Sequence, residues 1–169
     1  MIFERRFLEK HFMTILILAL LCVLGVLYGA SILWRERSTS SSLDADGDVI
    51  ALTIGDVSFN AELALSTSSR ALGLSGRQML PPKEGMLFVF SKSARHLFWM
   101  KDMLFNLDFV WIEGGHVIDL TENVSAPSSG SLPALVRPAR NASMVLELRA
   151  GSVALYNLTI GDSVSFENK

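Results

Sequence analysis

The chain has 169 residues, with 15 Lys and Arg against 17 Asp and Glu, so its formal net charge at pH 7 is −2. This length suits one folded domain with a short appendage, and the charge balance argues against nucleic acid as a partner. Half of the residues are hydrophobic, which excludes a disordered protein, and the single cysteine excludes an internal disulfide and a multi-cysteine metal site.

The first element in the chain is an apolar stretch, residues 12–34, which contains no Asp, Glu, Lys or Arg. Because a helix rises about 1.5 Å per residue, about 20 such residues cross the ~30 Å hydrocarbon core of a bilayer. The stretch therefore predicts a transmembrane signal anchor that follows a cytoplasmic leader, residues 1–11. The lipid bilayer is accordingly the first expected partner.

A cleaved secretory signal is the competing interpretation, since small residues at 29–31 resemble a cleavage site. The apolar run is longer than the ~7–15 residues of a usual signal core, which favours the anchor. Basic residues are slightly more numerous before the span than after it: Arg5, Arg6 and Lys10 against Arg35 and Arg37. This bias predicts a single-pass protein with its N-terminus in the cytoplasm and its C-terminal domain outside, whereas cleavage would release the domain as a secreted protein.

Residues 35–48 are polar, rich in Ser and Asp, and predict a flexible tether before a domain at 49–169. Strand-like runs dominate that domain, with alternating or continuously apolar residues. They are Val49–Ile54, Val57–Leu65, Gly85–Phe90, Leu107–Ile112, His116–Glu122, Met144–Arg149 and Ser163–Phe166.

Turn residues divide these runs. Gly55-Asp56 and Glu113-Gly114-Gly115 predict two hairpins. Short helices are predicted at Thr67–Leu74, after a Ser66 cap, and at Ser152–Leu158. We therefore expect a β-dominated α+β domain: a compact barrel or a strongly curled, mostly antiparallel sheet with two short helices, preceded by one transmembrane helix.

Five sequence blocks, in this order, together resemble the domain of unknown function 192 (DUF192) family over roughly residues 50–167. They are Arg70-x-x-Gly73-Leu74-x-x-Arg77, Glu84-Gly85-Met86-Leu87-Phe88-Val89-Phe90, Phe98-Trp99-Met100-Lys101-Asp102, Leu107-Asp108, and Val145-Leu146-Glu147-Leu148-x-Ala150-Gly151. The resemblance implies a small β-rich domain, often secreted or membrane-tethered in bacteria and archaea, without an established activity.

The chain departs from the family's usual residues at three positions. Ser75 stands where the family usually has Met, and Asp102-Met103 stands where it usually has Asn-Thr. The Asp adds a charge and the Met removes a hydroxyl, so a site that used those groups as neutral donors would be altered in this chain.

Six residues in these blocks are candidates for binding a ligand: Arg70, Arg77, Trp99, Lys101, Asp108 and Glu147. Arg70 and Arg77 are seven residues apart and, with Lys101, would suit a small anion, because guanidinium groups bind carboxylate and phosphate. The competing interpretation is that the arginines form structural ion pairs with Asp102 and Asp108. Trp99 is expected in the core, or as a stacking platform for a saccharide-like ligand if one ring face is exposed.

Asp108 and Glu147 each have a structural interpretation that competes with a role in a binding site. Asp108 lies near the start of an apolar strand, where it must be paired, hydrogen-bonded or at the mouth of a pocket, and a structural cap or an ion pair with Arg70 or Arg77 is favoured. Glu147 alternates outward from its strand, so a solvated or cross-strand-paired group is favoured. It becomes a site residue only if its face turns inward at the mouth of a barrel.

The remaining polar residues yield no cofactor and no metal site, because His96 and His116 each lack a second His or Cys at ligand spacing. The connection near 123–143 is long and Pro-rich, which is typical of functional or disordered loops. Three functions follow, in order of preference. They are a ligand-binding or accessory module of the cell envelope, a partner subunit of a membrane-protein assembly, and an envelope-acting enzyme with Asp108 or Glu147 as acid/base.

Overall fold

The computed structural model describes residues 45–167, which form nine strands and two short helices. The strands are β1 Val49–Ile54, β2 Val57–Ala64, β3 Glu84–Ala94, β4 Phe98–Trp99, β5 Leu107–Glu113, β6 His116–Val124, β7 Leu135–Val136, β8 Ala142–Arg149 and β9 Val164–Phe166. The helices are α1 Thr67–Leu72 and α2 Ser152–Leu155.

Seven strands form one strongly curled half-barrel sheet in the order β6-β5-β8-β3-β2-β1-β9. All neighbouring pairs are antiparallel except β2 and β3. The curl brings the two edge strands together at one end, where Val117 N donates to Asp162 O (2.9 Å) and Val164 N donates to Gly115 O (2.8 Å). Strands β4 and β7 form a separate two-stranded sheet.

The central strands bury both of their faces. The concave face carries a core that includes Leu87, Val110 and Leu146. The convex face carries a second core, in which Phe88 and Trp111 pack against side chains from the segments that cover the sheet. Alternate residues of one strand therefore enter two different cores, and neither face is left to solvent in the middle of the sheet.

Two strands approach each other closely at Gly85 in β3, which pairs with Leu148 of β8. A Cβ atom at this position would lie 2.7 Å from the Glu147 carbonyl oxygen and 2.9 Å from a Leu146 methyl group. Real Cβ atoms do not approach backbone oxygens this closely, so only glycine fits between these strands.

The predicted strands and both hairpins are confirmed, as are the β-dominated class and the Ser66 cap, whose hydroxyl accepts a hydrogen bond from Ser69 N. The helices are shorter than predicted. Helix α1 ends at Leu72, because the next residue, Gly73, has a φ of 53° and so leaves the right-handed helical region. The pairing of β4 with β7 was not predicted, since two-residue strands have no measurable periodicity.

The folded region begins before Val49. Residues 46–48, which the sequence assigned to the tether, are hydrogen-bonded to β2 and to the start of α1. Gly47 N donates to Leu63 O (2.8 Å), and the Asp46 carboxylate accepts from Leu65 N (2.7 Å). The predicted leader, the anchor at 12–34 and the tether up to residue 44 lie outside the described residues. Within residues 45–167, neither helix has the length and apolar character that a bilayer crossing requires.

Candidate functional site

A cavity of about 300 Å³ lies on the convex face of the sheet. One side is formed by α1 and the turn that follows it, between Thr67 and Ser75. The opposite side is formed by residues 96–99, at and just before β4, together with Met103. Phe88 and Phe90 of β3 and Glu147 of β8 line the cavity from the sheet.

Glu147 is the most unusual group in this cavity, because it is a carboxyl group with only 4% of its surface exposed. The strand register places it between Met86 and Phe109, which cannot pair with it. Among the described residues it has neither a hydrogen-bond partner nor an ionic partner, and burial alone raises its pKa from 4.5 to about 8. The expectation of a solvated or cross-strand-paired Glu147 is wrong, because α1 and residues 96–103 cover this face of the sheet.

Arg70 lines the same cavity from α1. Its Nη1 donates to the backbone oxygens of Leu65 and Val89, the latter at 3.1 Å, and its guanidinium carbon lies 5.0 Å from the centre of the Phe90 ring. These contacts fix the guanidinium group and occupy Nη1. Its Nε and Nη2 donors have no protein acceptor within residues 45–167.

Aromatic rings supply most of the apolar wall. Phe98 is 9% exposed and packs edge to face against Phe88, with ring centres 5.0 Å apart, and against Trp111 at 5.4 Å. His96 stacks on Phe90 at 3.6 Å. These contacts make the wall a packed extension of the convex core, which favours a cavity that exists before any ligand binds.

Trp99 lies at the rim and is 51% exposed, so it is not a core residue. The Lys101 amino group lies 6.0 Å from the centre of its ring and 4.0 Å from the Asp102 carboxylate. Trp99 therefore has the exposed ring beside polar groups that a stacking platform requires, whereas Lys101 lies outside the cavity lining.

Arg77 is not in the cavity. Its Nη2 donates to the Glu62 carboxylate at 2.7 Å, on a half-exposed surface. The expected cluster of Arg70, Arg77 and Lys101 is therefore not formed, because α1 ends at Leu72 and the following turn takes Arg77 away from Arg70. The expected ion pairs of the arginines with Asp102 and Asp108 do not occur either.

Asp108 is fully buried and fully hydrogen-bonded. One carboxylate oxygen accepts from Asn123 N (2.8 Å), and the other accepts from Val153 N (2.9 Å) in the first turn of α2. The cap that the sequence favoured is confirmed, while the alternative pairing with Arg70 or Arg77 is wrong. Asp108 is not among the residues that line the cavity.

Apart from Arg70, Trp99 and Glu147, the lining residues were not singled out as site residues, among them Ser75, Phe90, His96 and Met103. Ser75 and Met103 had a signal in the sequence, because both are positions at which the chain departs from the family's usual residues. Phe90 and His96 had no such signal, since their stacking is a contact between a strand and a loop that no local sequence pattern reveals. Within residues 45–167, no group of three or more His, Cys, Asp or Glu is arranged to hold a metal ion.

The long connection near 123–143 is ordered where it covers the sheet. Its β7 pairs with β4, and Ala134 O accepts a hydrogen bond from Met100 N at 3.0 Å. Ala139 N donates to the Asp119 carboxylate at 2.7 Å. The connection does not line the cavity, but it supports β4, which does.

Comparison with protein families decides the classification. The model of the DUF192 family, described as "Uncharacterized ACR, COG1430", matches residues 50–166. The chain belongs to this family. The resemblance stated from the sequence blocks is thereby confirmed. No curated protein gives a significant match.

Two crystal structures share the fold. One is a "putative transcription regulator" from Sinorhizobium meliloti 1021, with 27% identity and a TM-score of 0.65, matched over 73% of this chain and 97% of that one. The other is a protein of unknown function from Novosphingobium aromaticivorans DSM 12444, with 25% identity and a TM-score of 0.63, matched over 69% and 84%. Both likenesses agree with the family assignment of the domain.

Proposed function

We propose that this DUF192 domain is a ligand-binding module, and that its ligand occupies the cavity between α1, β3 and β4. The observation that carries the proposal is Glu147, a buried carboxyl group without a protein partner in an otherwise aromatic cavity. Burying an unpaired polar group costs free energy that a ligand can recover by bonding to it. No hydrogen bond or ion pair within residues 45–167 uses the Glu147 carboxyl group, so we infer that its partner is a ligand.

The domain is held at the outer side of a membrane by residues 12–34. Support comes from the uncharged length of this stretch and from the small excess of basic residues before it. Membrane fractionation of cells that express the full chain tests this placement, with protease added to spheroplasts, whose cytoplasmic membrane is intact, and to lysed cells. We expect the domain in the membrane fraction and digestible from outside. Recovery in the soluble cytosol, or digestion only after lysis, would contradict it.

Ligand binding is tested with the full-length chain in non-ionic detergent, screened by thermal shift. The library contains neutral, anionic, cationic and zwitterionic small molecules, with monosaccharides among the neutral ones. A blocking variant, Ala71→Trp, places a large ring on an exposed lining residue of α1. Its matched control is Gln78→Trp, an exposed position outside the lining.

We expect at least one compound to stabilise the wild type and the Gln78→Trp control but not Ala71→Trp. If no compound stabilises the wild type, or if binding survives both Ala71→Trp and Glu147→Gln, the cavity is not a binding site.

An envelope-acting enzyme is the second candidate, and one observation favours it. A carboxyl group whose pKa is about 8 is largely protonated at neutral pH and can act as a general acid. Of the two acids expected from the sequence, Glu147 is the one available for this role, since Asp108 lies outside the cavity lining and both of its oxygens accept from backbone N–H groups. Mass spectrometry of the same screening samples would then find a compound converted by the wild type and left intact by Glu147→Gln.

A further inference from the structure

In the part of the chain that the structure describes, the cavity is lined by one acidic and one basic side chain that do not form an ion pair with each other. Among its described lining residues, Glu147 is the single carboxyl group and Arg70 the single arginine or lysine. They come from different elements, β8 and α1, and form no ion pair. A ligand with one positive and one negative end would satisfy both, whereas a simple anion or a simple cation would meet a partner on one side alone.

Arg70 is prepared to bind an anionic group. Two backbone oxygens and the Phe90 ring hold its guanidinium group in place, and Nε and Nη2 keep N–H donors for another acceptor. A fixed guanidinium with adjacent free donors suits a carboxylate, which it can bind through two parallel hydrogen bonds.

Glu147 is suited to the opposite end of such a ligand. A carboxyl group bordered by aromatic rings provides a charge partner for an ammonium group, while the ring faces also attract the cation. The apolar wall from Phe88 and Phe98 offers room for a hydrocarbon side chain. At about 300 Å³, the cavity is at the lower end of the size range of ligand sites, so the ligand is small.

We propose that the ligand is a small zwitterion of the amino-acid class, whose ammonium group binds the Glu147 carboxylate and whose carboxylate binds Arg70. The inference rests on the proposed ligand-binding function and specifies its chemistry. Binding ionises Glu147 and releases its proton to solvent, so affinity for the zwitterion rises with pH until Glu147 ionises in the free protein.

The groups that face Glu147 decide how this dependence is measured. Arg70 faces it from α1 and His96 from the segment before β4, while β3 and β5 place Met86 and Phe109 beside it. His96 is thus the one histidine among the described lining residues. A His96→Gln variant separates its contribution from that of Glu147.

The experiment uses the full chain in non-ionic detergent, isothermal titration calorimetry and the twenty common amino acids as probes. Each amino acid that binds is compared with its decarboxylated amine and its deaminated acid, which share the same side chain. For phenylalanine these are 2-phenylethylamine and 3-phenylpropanoate. We expect at least one amino acid to bind about tenfold more tightly than both analogues.

The variants assign the two ends. We expect Glu147→Gln to lower the affinity for the amino acid by about tenfold or more and to leave the affinity for the deaminated acid unchanged. Arg70→Gln should likewise lower the affinity for the amino acid but leave the affinity for the decarboxylated amine unchanged. The affinity of the wild type and of His96→Gln should rise about tenfold from pH 6 to 7 and about fivefold from pH 7 to 8. Glu147→Gln should lack this rise.

The inference is overturned if no amino acid binds, or if an amine, an acid or a neutral compound binds as tightly as the zwitterion. A loss of affinity with rising pH would also overturn it, because that sign means that protonated Glu147 donates a hydrogen bond. Each of these results leaves the proposed function intact if the library screen has found a cavity ligand. The absence of any ligand in that screen would instead remove the function itself.

Discussion

Glu147→Gln should make the stability of the protein less sensitive to a rise in pH from 4.5 to 8, because it removes a carboxyl group that the native state holds protonated. Burial raises the pKa of Glu147 from 4.5 to about 8. Between those values the unfolded chain loses its proton and the native state keeps it, so wild-type stability falls as pH rises. At about 1.4 kcal/mol for each pH unit, the wild type loses about 5 kcal/mol of its unfolding free energy between pH 4.5 and 8. If water enters the cavity, the loss is about 3–5 kcal/mol.

Urea denaturation at half-unit steps from pH 4 to pH 9 measures this difference. Below pH 4.5 both states are protonated and the two proteins should differ by a constant amount. From pH 4.5 to about pH 8 the unfolding free energy of the variant should rise relative to that of the wild type, and above pH 8 the difference should stay constant. Glu122→Gln, at an exposed position of β6, is the control and should follow the wild type. Parallel curves for the wild type and Glu147→Gln would refute the assignment of a buried, unpaired carboxyl group.

Three further substitutions test the packing of the domain by urea denaturation. Gly85→Ala should cost about 1–3 kcal/mol, because its Cβ would overlap the backbone of β8, and an unchanged midpoint would contradict that close approach. Asp108→Ala should cost about 3 kcal/mol or more, since it leaves two backbone N–H groups without their acceptor, and a loss below about 1 kcal/mol would refute the cap. Arg77→Ala should cost less than about 1 kcal/mol, because its pair with Glu62 is half exposed, and a larger loss would show a stronger role.

Most of the strand assignment could be predicted from the sequence, because local patterns determine it. In Val57–Ala64, alternating residues face a core, and Gly55-Asp56 provides the turn that joins this strand to β1. The parallel pairing of β2 with β3 could not be predicted, since it depends on the path of the segment between them. Strands β4 and β7 exist only because they pair with each other across distant parts of the chain.

The site was harder to predict, because alternation identifies the two faces of a strand but not what covers them. Glu147 lies on the opposite face from Leu146, as its position in the sequence implies, yet α1 and residues 96–103 cover that face. Arg70 and Trp99 line the cavity, but the neighbours expected for Arg70 were wrong, since Arg77 and Lys101 lie outside the lining. The prediction that Arg77 lies beside Arg70 was wrong for a local reason, since Gly73 ends the helix that would have aligned the two arginines.

The two buried carboxyl groups of the sheet lead to different conclusions about function. Asp108 and Glu147 lie on adjacent strands, and both are almost completely inaccessible to solvent. Every oxygen of Asp108 accepts a backbone hydrogen bond, so the fold alone explains its presence. Glu147 has burial without compensation and lowers stability at neutral pH. A neutral side chain of the same shape would serve the fold better, and for this reason we propose a ligand in the cavity, rather than a structural role, as the explanation for a carboxyl group at this position.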